Sequence, residues 1–253
     1  VRRFRFRAGS LWGVPLWIHG SWFLVLGFVV WSVTQEFGVA LPELPLVERL
    51  VMAAITGIAF FGCLALHELA HAVIARRFGV RVKGITLFLL GGVAEVEGEL
   101  PSPRAEFAVA LSGPATSIVI ASVLALGSRS AGLFGWTGAE GVLFVLSVVN
   151  LGVAVFNLIP GLPLDGGRIL RAVIWRRTGS FVRATRLAAA GGRVVAVCLV
   201  AVGLGATIAG EPVGLWYVPM GAFIWFLARA SGKAVPPPPQ GGALALGREG
   251  EAA

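Results

Sequence analysis

Six apolar runs, each near the length that crosses a bilayer, occupy most of this 253-residue chain: about 16–33, 50–76, 105–127, 140–161, 187–209 and 213–229. A helix rising 1.5 Å per residue needs roughly 20 residues to cross about 30 Å of hydrocarbon. Lipid offers backbone N–H and C=O groups no partner, so a spanning segment must satisfy them internally as a helix or within a closed barrel. Runs of this length are helices. Only 13% of the residues are charged, about half of what soluble domains carry. The expected fold is therefore an all-α polytopic membrane protein with six transmembrane helices. One membrane domain covers residues 1–230, followed by a disordered Pro/Gly-rich cytoplasmic tail, 231–253, that contains four consecutive prolines. The basic start and apolar first run are read as an uncleaved first span. Gly210, Glu211 and Pro212 alone join runs five and six, which makes those two a hairpin.

The distribution of charge orients the chain. The net charge is +8, but the basic residues do not cluster on a soluble face, and nucleic-acid binding is not expected. With the N-terminus inside, the cytoplasmic segments hold 19 Arg and Lys residues, among them Arg76, Arg77, Arg81, Lys83, Arg168, Arg171, Arg176 and Arg177; the outer loops hold only Arg49 and Arg129. Positive residues stay on the cytoplasmic side. The expectation is a multi-pass protein of the cell membrane with both termini cytoplasmic, in contact with anionic lipid headgroups.

Inside the second run lies His67-Glu68-Leu69-Ala70-His71, in its cytoplasmic half. On a helix His67 and His71 are one turn apart and share a face, so both imidazoles can reach one metal ion, and Glu68 beside them can take a proton from water. Two histidines and a carboxylate are costly in lipid unless paired or metal-bound. A catalytic zinc usually has three protein ligands and an open position. His67 and His71 supply two. Asp165, the only aspartate in the chain, is expected at the same depth at the cytoplasmic end of span four and is the candidate third ligand; its bland alternative is a helix cap. The expectation is one zinc per chain held by His67, His71 and Asp165, with Glu68 as general base in peptide hydrolysis. Cys63, one turn before His67, is an alternative ligand or an inert buried thiol. His19 is read as an ordinary interior histidine of span one, with an active-site role as its alternative.

Span four ends in Asn157-Leu-Ile-Pro160-Gly-Leu-Pro163-Leu-Asp165-Gly166-Gly167-Arg168. Its prolines cannot continue a regular helix, so a broken helix end is expected, followed by a short amphipathic helix through Arg168, Arg171, Arg176 and Arg177. Asn150 and Asn157 share a face. Asn157 is the candidate group for holding a substrate carbonyl or oxyanion, against an interhelical hydrogen bond; for Asn150 the packing role is preferred. Between spans two and three, alternation over 81–100 predicts a small β-hairpin about a Gly91-Gly92 turn, with Glu95, Glu97 and Glu99 on a solvated face.

His67, Glu68, His71, Asn157, Pro160, Asp165 and Gly166 together resemble the site-2 protease family of intramembrane zinc metalloproteases, which pairs HExxH on one helix with Asn-x-x-Pro and Asp-Gly on a later one. The resemblance covers roughly residues 10–230. It implies zinc held by His67, His71 and Asp165, catalysis by Glu68, and cleavage of membrane-spanning substrates such as tethered transcription factors, anti-sigma factors or remnant signal peptides. Six spans without a PDZ insertion are similar to the subgroup that often carries C-terminal CBS domains; here only a short tail follows span six. In the manner of this family a substrate segment leaves its helical state before hydrolysis, and the 84–100 hairpin could receive it as an added strand, with prolines along 85–90 as the test. Two readings from other classes stand beside the protease: a proteolytically silent protein that binds membrane proteins, against which the intact His67, Glu68, His71 and Asp165 argue, and a transporter with a metal site, against which the apolar outer halves of the spans argue.

Overall fold

The computed structural model describes residues 5–88, 91–211 and 214–233. The chain opens as a β-hairpin, β1 (Arg5–Leu11) and β2 (Val14–His19), before the first helix, α1 (Ser21–Ala40). The first helix thus begins at Ser21, not near residue 16. Leu16, Trp17 and Ile18 are apolar, but they pair in parallel with Ile85, Thr86 and Leu87; a short apolar run does not by itself distinguish strand from helix. His19 therefore ends a strand, outside any span. The hairpin turns through Trp12 and Gly13, whose φ angles of 45° and 70° are both positive, as a two-residue turn matching strand twist requires. The Arg76 guanidinium donates to the carbonyls of Trp12 (3.1 Å) and Gly13 (3.0 Å), fixing this turn to the end of the second helix.

That helix, α2 (Leu46–Arg77), runs 32 residues, about 48 Å at 1.5 Å per residue. It is followed by the expected hairpin, β3 (Val82–Phe88) and β4 (Gly91–Val96). Gly91 and Gly92 open β4, opposite Phe88 and Leu87, rather than forming the turn; residues 89–90 lie outside the described residues. The small β element is larger than the sequence suggests. All four strands form one sheet in the order β1-β2-β3-β4, because the apolar side of the N-terminal hairpin also packs on α2. Val14, Leu69, Ala72, Val82, Ile85, Leu87 and Val109 are buried together there. Full burial of a side chain such as Ile85 stabilises by about 1.5–3 kcal/mol.

The rest is helical: α3 (Pro103–Leu133), α4 (Thr137–Asn157), α5 (Asp165–Thr178), α6 (Phe181–Ile208) and α7 (Gly214–Lys233). Ser102 caps α3 by accepting from the Ala105 N–H, with Pro103 in the first turn where no N–H is needed. Ser180 caps α6 in the same way through Arg183, so α6 starts six residues before the expected 187. α5 is the expected short amphipathic helix, closed by Gly179 in the left-handed conformation.

Five helices among the described residues, α1, α2, α3, α4 and α6, are long and apolar enough to cross a membrane. The expected sixth, α7, equals α1 in length with 20 residues but is less apolar than the five, since Pro219, Trp216, Tyr217 and Arg229 dilute it. It packs back along α6 as the expected hairpin. Large apolar side chains such as Phe28, Trp31, Val123, Leu126 and Val197 remain exposed on the helix faces, as lipid-facing residues are. The chain is a membrane protein. α7 runs on to Lys233; residues 234–253, most of the expected tail, lie outside the described residues.

Candidate metal centre

Three buried side chains from two distant segments converge where α2 meets the start of α5. His67 Nε2 and His71 Nε2 each lie 3.2 Å from Asp165 Oδ2. All three donor atoms fall within 4.8 Å of one another. The i, i+4 spacing on α2 sets the two rings on one face, 4.9 Å apart between centroids and nearly perpendicular. Asp165 is the first residue of α5, where the helix N-terminus also favours a carboxylate.

The far side of each ring is held by α3. His71 Nδ1 lies 2.7 Å from the carbonyl oxygen of Val109. A carbonyl only accepts, so Nδ1 carries the proton and donates it, and in the neutral ring Nε2 is a bare lone pair. His67 Nδ1 lies 2.9 Å from Ser117 Oγ, which allows the same tautomer. Two such lone pairs facing one carboxylate oxygen would repel one another unless a cation sat among them. Donors at about 2.0–2.2 Å from a tetrahedral zinc lie about 3.3 Å apart, close to the 3.2 Å between each histidine and Asp165. Two imidazoles and one carboxylate suit zinc better than calcium or magnesium, which prefer more oxygen ligands.

Space is reserved for that ion. A methyl group at Gly113 of α3 would fall against the Nε2 atoms of both rings. Gly92 of β4 does the same for Glu68: a methyl there would press on the Glu68 side chain. On the α5 side, added methyls at Gly166 and Gly167 would strike the backbone of Leu158 and of Gly161-Leu162. Only glycine at both positions lets α5 start directly beneath the loop that leaves α4. That loop is tied to α6 by the Leu162 N–H to the Ala188 carbonyl, 3.0 Å.

The donors open into a cavity of about 390 Å³ that Glu68, Asn157 and Arg168 also line. β4 closes one side with Gly92, Val93 and Ala94, and α7 another with Met220, Phe223, Ile224 and Leu227. Asn157 ends α4 at the cavity wall, donating from Nδ2 to the Val153 carbonyl (3.0 Å) with its amide oxygen and second N–H free of that contact. Asn150 is buried and bonds its own helix at Leu146 (2.7 Å), in keeping with a packing role. Cys63 is not part of the donor group among the described residues. His19 bonds Ser21 at 2.8 Å and does not line the cavity.

The α3 groups were not apparent from sequence. A signal was present in Ser112-Gly113-Pro114-Ala115-Thr116-Ser117, a Gly-Pro pair flanked by hydroxyls within an apolar span. Glu106 and Arg171 were likewise missed as a pair: buried Glu106 accepts from Arg171 Nε at 2.7 Å and also from Arg171 Nη2.

A membrane-embedded helical fold with a two-histidine, one-aspartate donor group defines the class. The family profile of peptidase family M50 matches residues 55–135 and 128–202. The chain belongs to peptidase family M50, in accord with the resemblance carried by its two motifs. It is 41% identical over 223 residues to Rip3 of Mycobacterium tuberculosis, named as a zinc metalloprotease, covering 87% of this chain and 57% of that protein. It is 36% identical over 227 residues to the similarly named sll0528 of Synechocystis, covering 89% of this chain and 58% of that protein. The chain thus spans a little under three fifths of the length of these relatives. Its structure is similar to that of the site-2 protease from Methanocaldococcus jannaschii, with a TM-score of 0.61 and 25% identity, covering 93% of this chain and 98% of that one.

Proposed function

We propose that this chain is an intramembrane zinc endopeptidase that cleaves within or near transmembrane segments of membrane-tethered regulatory proteins. The observation that carries the reading is the convergence of His67, His71 and Asp165 on one point, beside Glu68, in a cavity among apolar helices. His67, His71 and Asp165 would hold the zinc. When bound, zinc supplies a Lewis acid and brings the pKa of water to about 7. Glu68 takes a proton as the water oxygen bonds to the peptide carbonyl carbon, then gives it to the amine as the C–N bond breaks. The products at neutral pH are a carboxylate and an ammonium, so atoms and charge balance. The Asn157 carboxamide, at the wall of the same cavity, donates to the carbonyl oxygen as negative charge develops there.

Both termini are assigned to the cytoplasm of a cell-membrane protein, and the domain to residues 1–230, with the last turn of α7 running on to Lys233. The asymmetry of Arg and Lys supports this: Arg176 and Arg177 follow the site on α5, whereas Arg49 and Arg129 sit at the opposite helix ends. Anti-sigma factors and tethered transcription factors are the substrate types proposed.

An extended substrate segment would be received at β4. Among the described residues the sheet order leaves β4 with one free edge, and β4 lines the cavity. β3 has neighbours on both sides, so prolines at 85–88 would break the sheet itself rather than test strand addition. N-methyl groups placed at successive amides of a substrate are the cleaner probe: alternate positions should slow cleavage, and no effect at any position would refute strand addition.

The deciding experiment reconstitutes the protein with a model transmembrane substrate and compares wild type with Glu68→Gln. Loss of about 10²–10⁴-fold in rate, with zinc retained, is expected. Equal cleavage by both proteins would sink the mechanism and favour a contaminating protease. No cleavage by wild type, with zinc bound, would favour the silent binding protein.

A further inference from the structure

Arg168 lines the catalytic cavity together with Glu68, Asn157 and Asp165, and no step of hydrolysis described above uses it. Among the described residues its one ion partner within 4 Å is Asp165, whose Oδ1 lies 3.8 Å from Arg168 Nη1. That separation is beyond a hydrogen bond. Its neighbour on α5 is engaged very differently. Arg171 gives two N–H groups to Glu106 and rests over the Phe181 ring at 4.8 Å. Among the described residues, Arg168 therefore holds a guanidinium at the cavity wall with most of its five donors uncommitted.

The charge of the cavity points the same way. Glu68 and Asp165 bring two negative charges, which balance a divalent ion held by neutral histidines. The positive charge of Arg168 is then unspent. A substrate amide is neutral and does not compensate it. Hydrolysis creates a carboxylate where none existed, and a guanidinium fork matches a carboxylate through two parallel N–H···O bonds. Arg168 also borders a second chamber of about 180 Å³, shared with Glu99, Leu100 and Glu106, so it stands between the catalytic cavity and a polar space beside the sheet.

We propose that Arg168 binds the carboxylate of the newly formed C-terminus, holding the amino-terminal product after the peptide bond is cut. The proposal rests on the peptidase reading of the same site. Arg168 is then a product-binding residue that discriminates charge at the cleaved carbonyl position.

The test compares two probes on the zinc-loaded protein: a leucine- and alanine-based hexapeptide with a free C-terminal carboxylate, and its carboxamide twin. Each displaces a fluorescent peptide in an anisotropy titration, and zinc is assayed in parallel. Wild type should prefer the carboxylate by about tenfold or more. In Arg168→Gln the preference should fall by about tenfold with zinc retained. An unchanged preference in Arg168→Gln would overturn the proposal. Should Arg168→Gln lose zinc, Arg168→Lys decides, because it keeps the charge beside Asp165 but not the fork. A preference reduced several-fold supports the proposal, and a wild-type preference overturns it. Failure here while wild type still cuts its substrate removes only the role of Arg168; wild type that neither binds zinc nor cuts removes the peptidase reading as well.

Discussion

Gly113 is the residue on which the donor group depends most strictly, although it contributes no donor. Any side chain there would enter the space between the two Nε2 atoms. Gly113→Ala should therefore lose most of its bound zinc while remaining folded, as measured by elemental analysis and circular dichroism; full zinc occupancy would show that α3 yields easily. Ser117 acts at one remove, orienting His67 through Nδ1. Outer partners of this kind typically change metal affinity 10–100-fold. Ser117→Ala should weaken zinc by about that factor in chelator competition, and unchanged affinity would mean that the contact is incidental. At this scale His67, His71 and Asp165 were legible because each is chemically out of place in an apolar chain. Gly113 was not, because glycine is common here, with 35 in the chain, and only packing shows which one faces a metal site.

At the scale of elements, α3 is the surprise. It reads as a plain span, yet it supplies the Val109 carbonyl, Gly113 and Ser117 to the two histidines, and Glu106 to Arg171 of α5. Backbone carbonyls leave no trace in sequence, and an ion pair across 65 positions is invisible to local pattern. The N-terminal strands were missed for a related reason. Leu16-Trp17-Ile18 is apolar enough to extend the following span, and its pairing with β3 lies almost 70 residues away. By contrast the long helices, the β3–β4 hairpin and the break after Asn157 were legible, since length, alternation and proline act locally. Glu106 and Arg171 join α3 to α5 with one partner 1% and the other 20% exposed. Removing one member of a buried pair strands the other, though the partial exposure of Arg171 lessens the cost. Glu106→Ala should lower unfolding stability by about 2–3 kcal/mol, seen as a reduced melting temperature in detergent; an unchanged melting temperature would place the pair outside the folding core.

For the whole molecule, the open count is whether α7 crosses. Five helices meet the length and hydropathy that crossing requires; α7 is a sixth of equal length to α1. Single cysteines replacing Glu211 and Lys233, in a background without Cys63 and Cys198, should label from opposite faces of sealed vesicles with an impermeant maleimide. Labelling of both from one face would leave α7 on the surface and place the two termini on opposite sides. Arg129→Cys and Arg176→Cys should likewise label from opposite faces, the latter from the cytoplasm.

The donor group joins residues 94 to 98 positions apart, from α2 to α5, and α3 braces it from behind. An ion that binds only this folded arrangement stabilises it by mass action, about 2.7 kcal/mol at one hundred times its dissociation constant. Zinc is then a tertiary crosslink as well as a reagent. Its affinity can be read from a melting curve against buffered zinc, before any substrate is in hand.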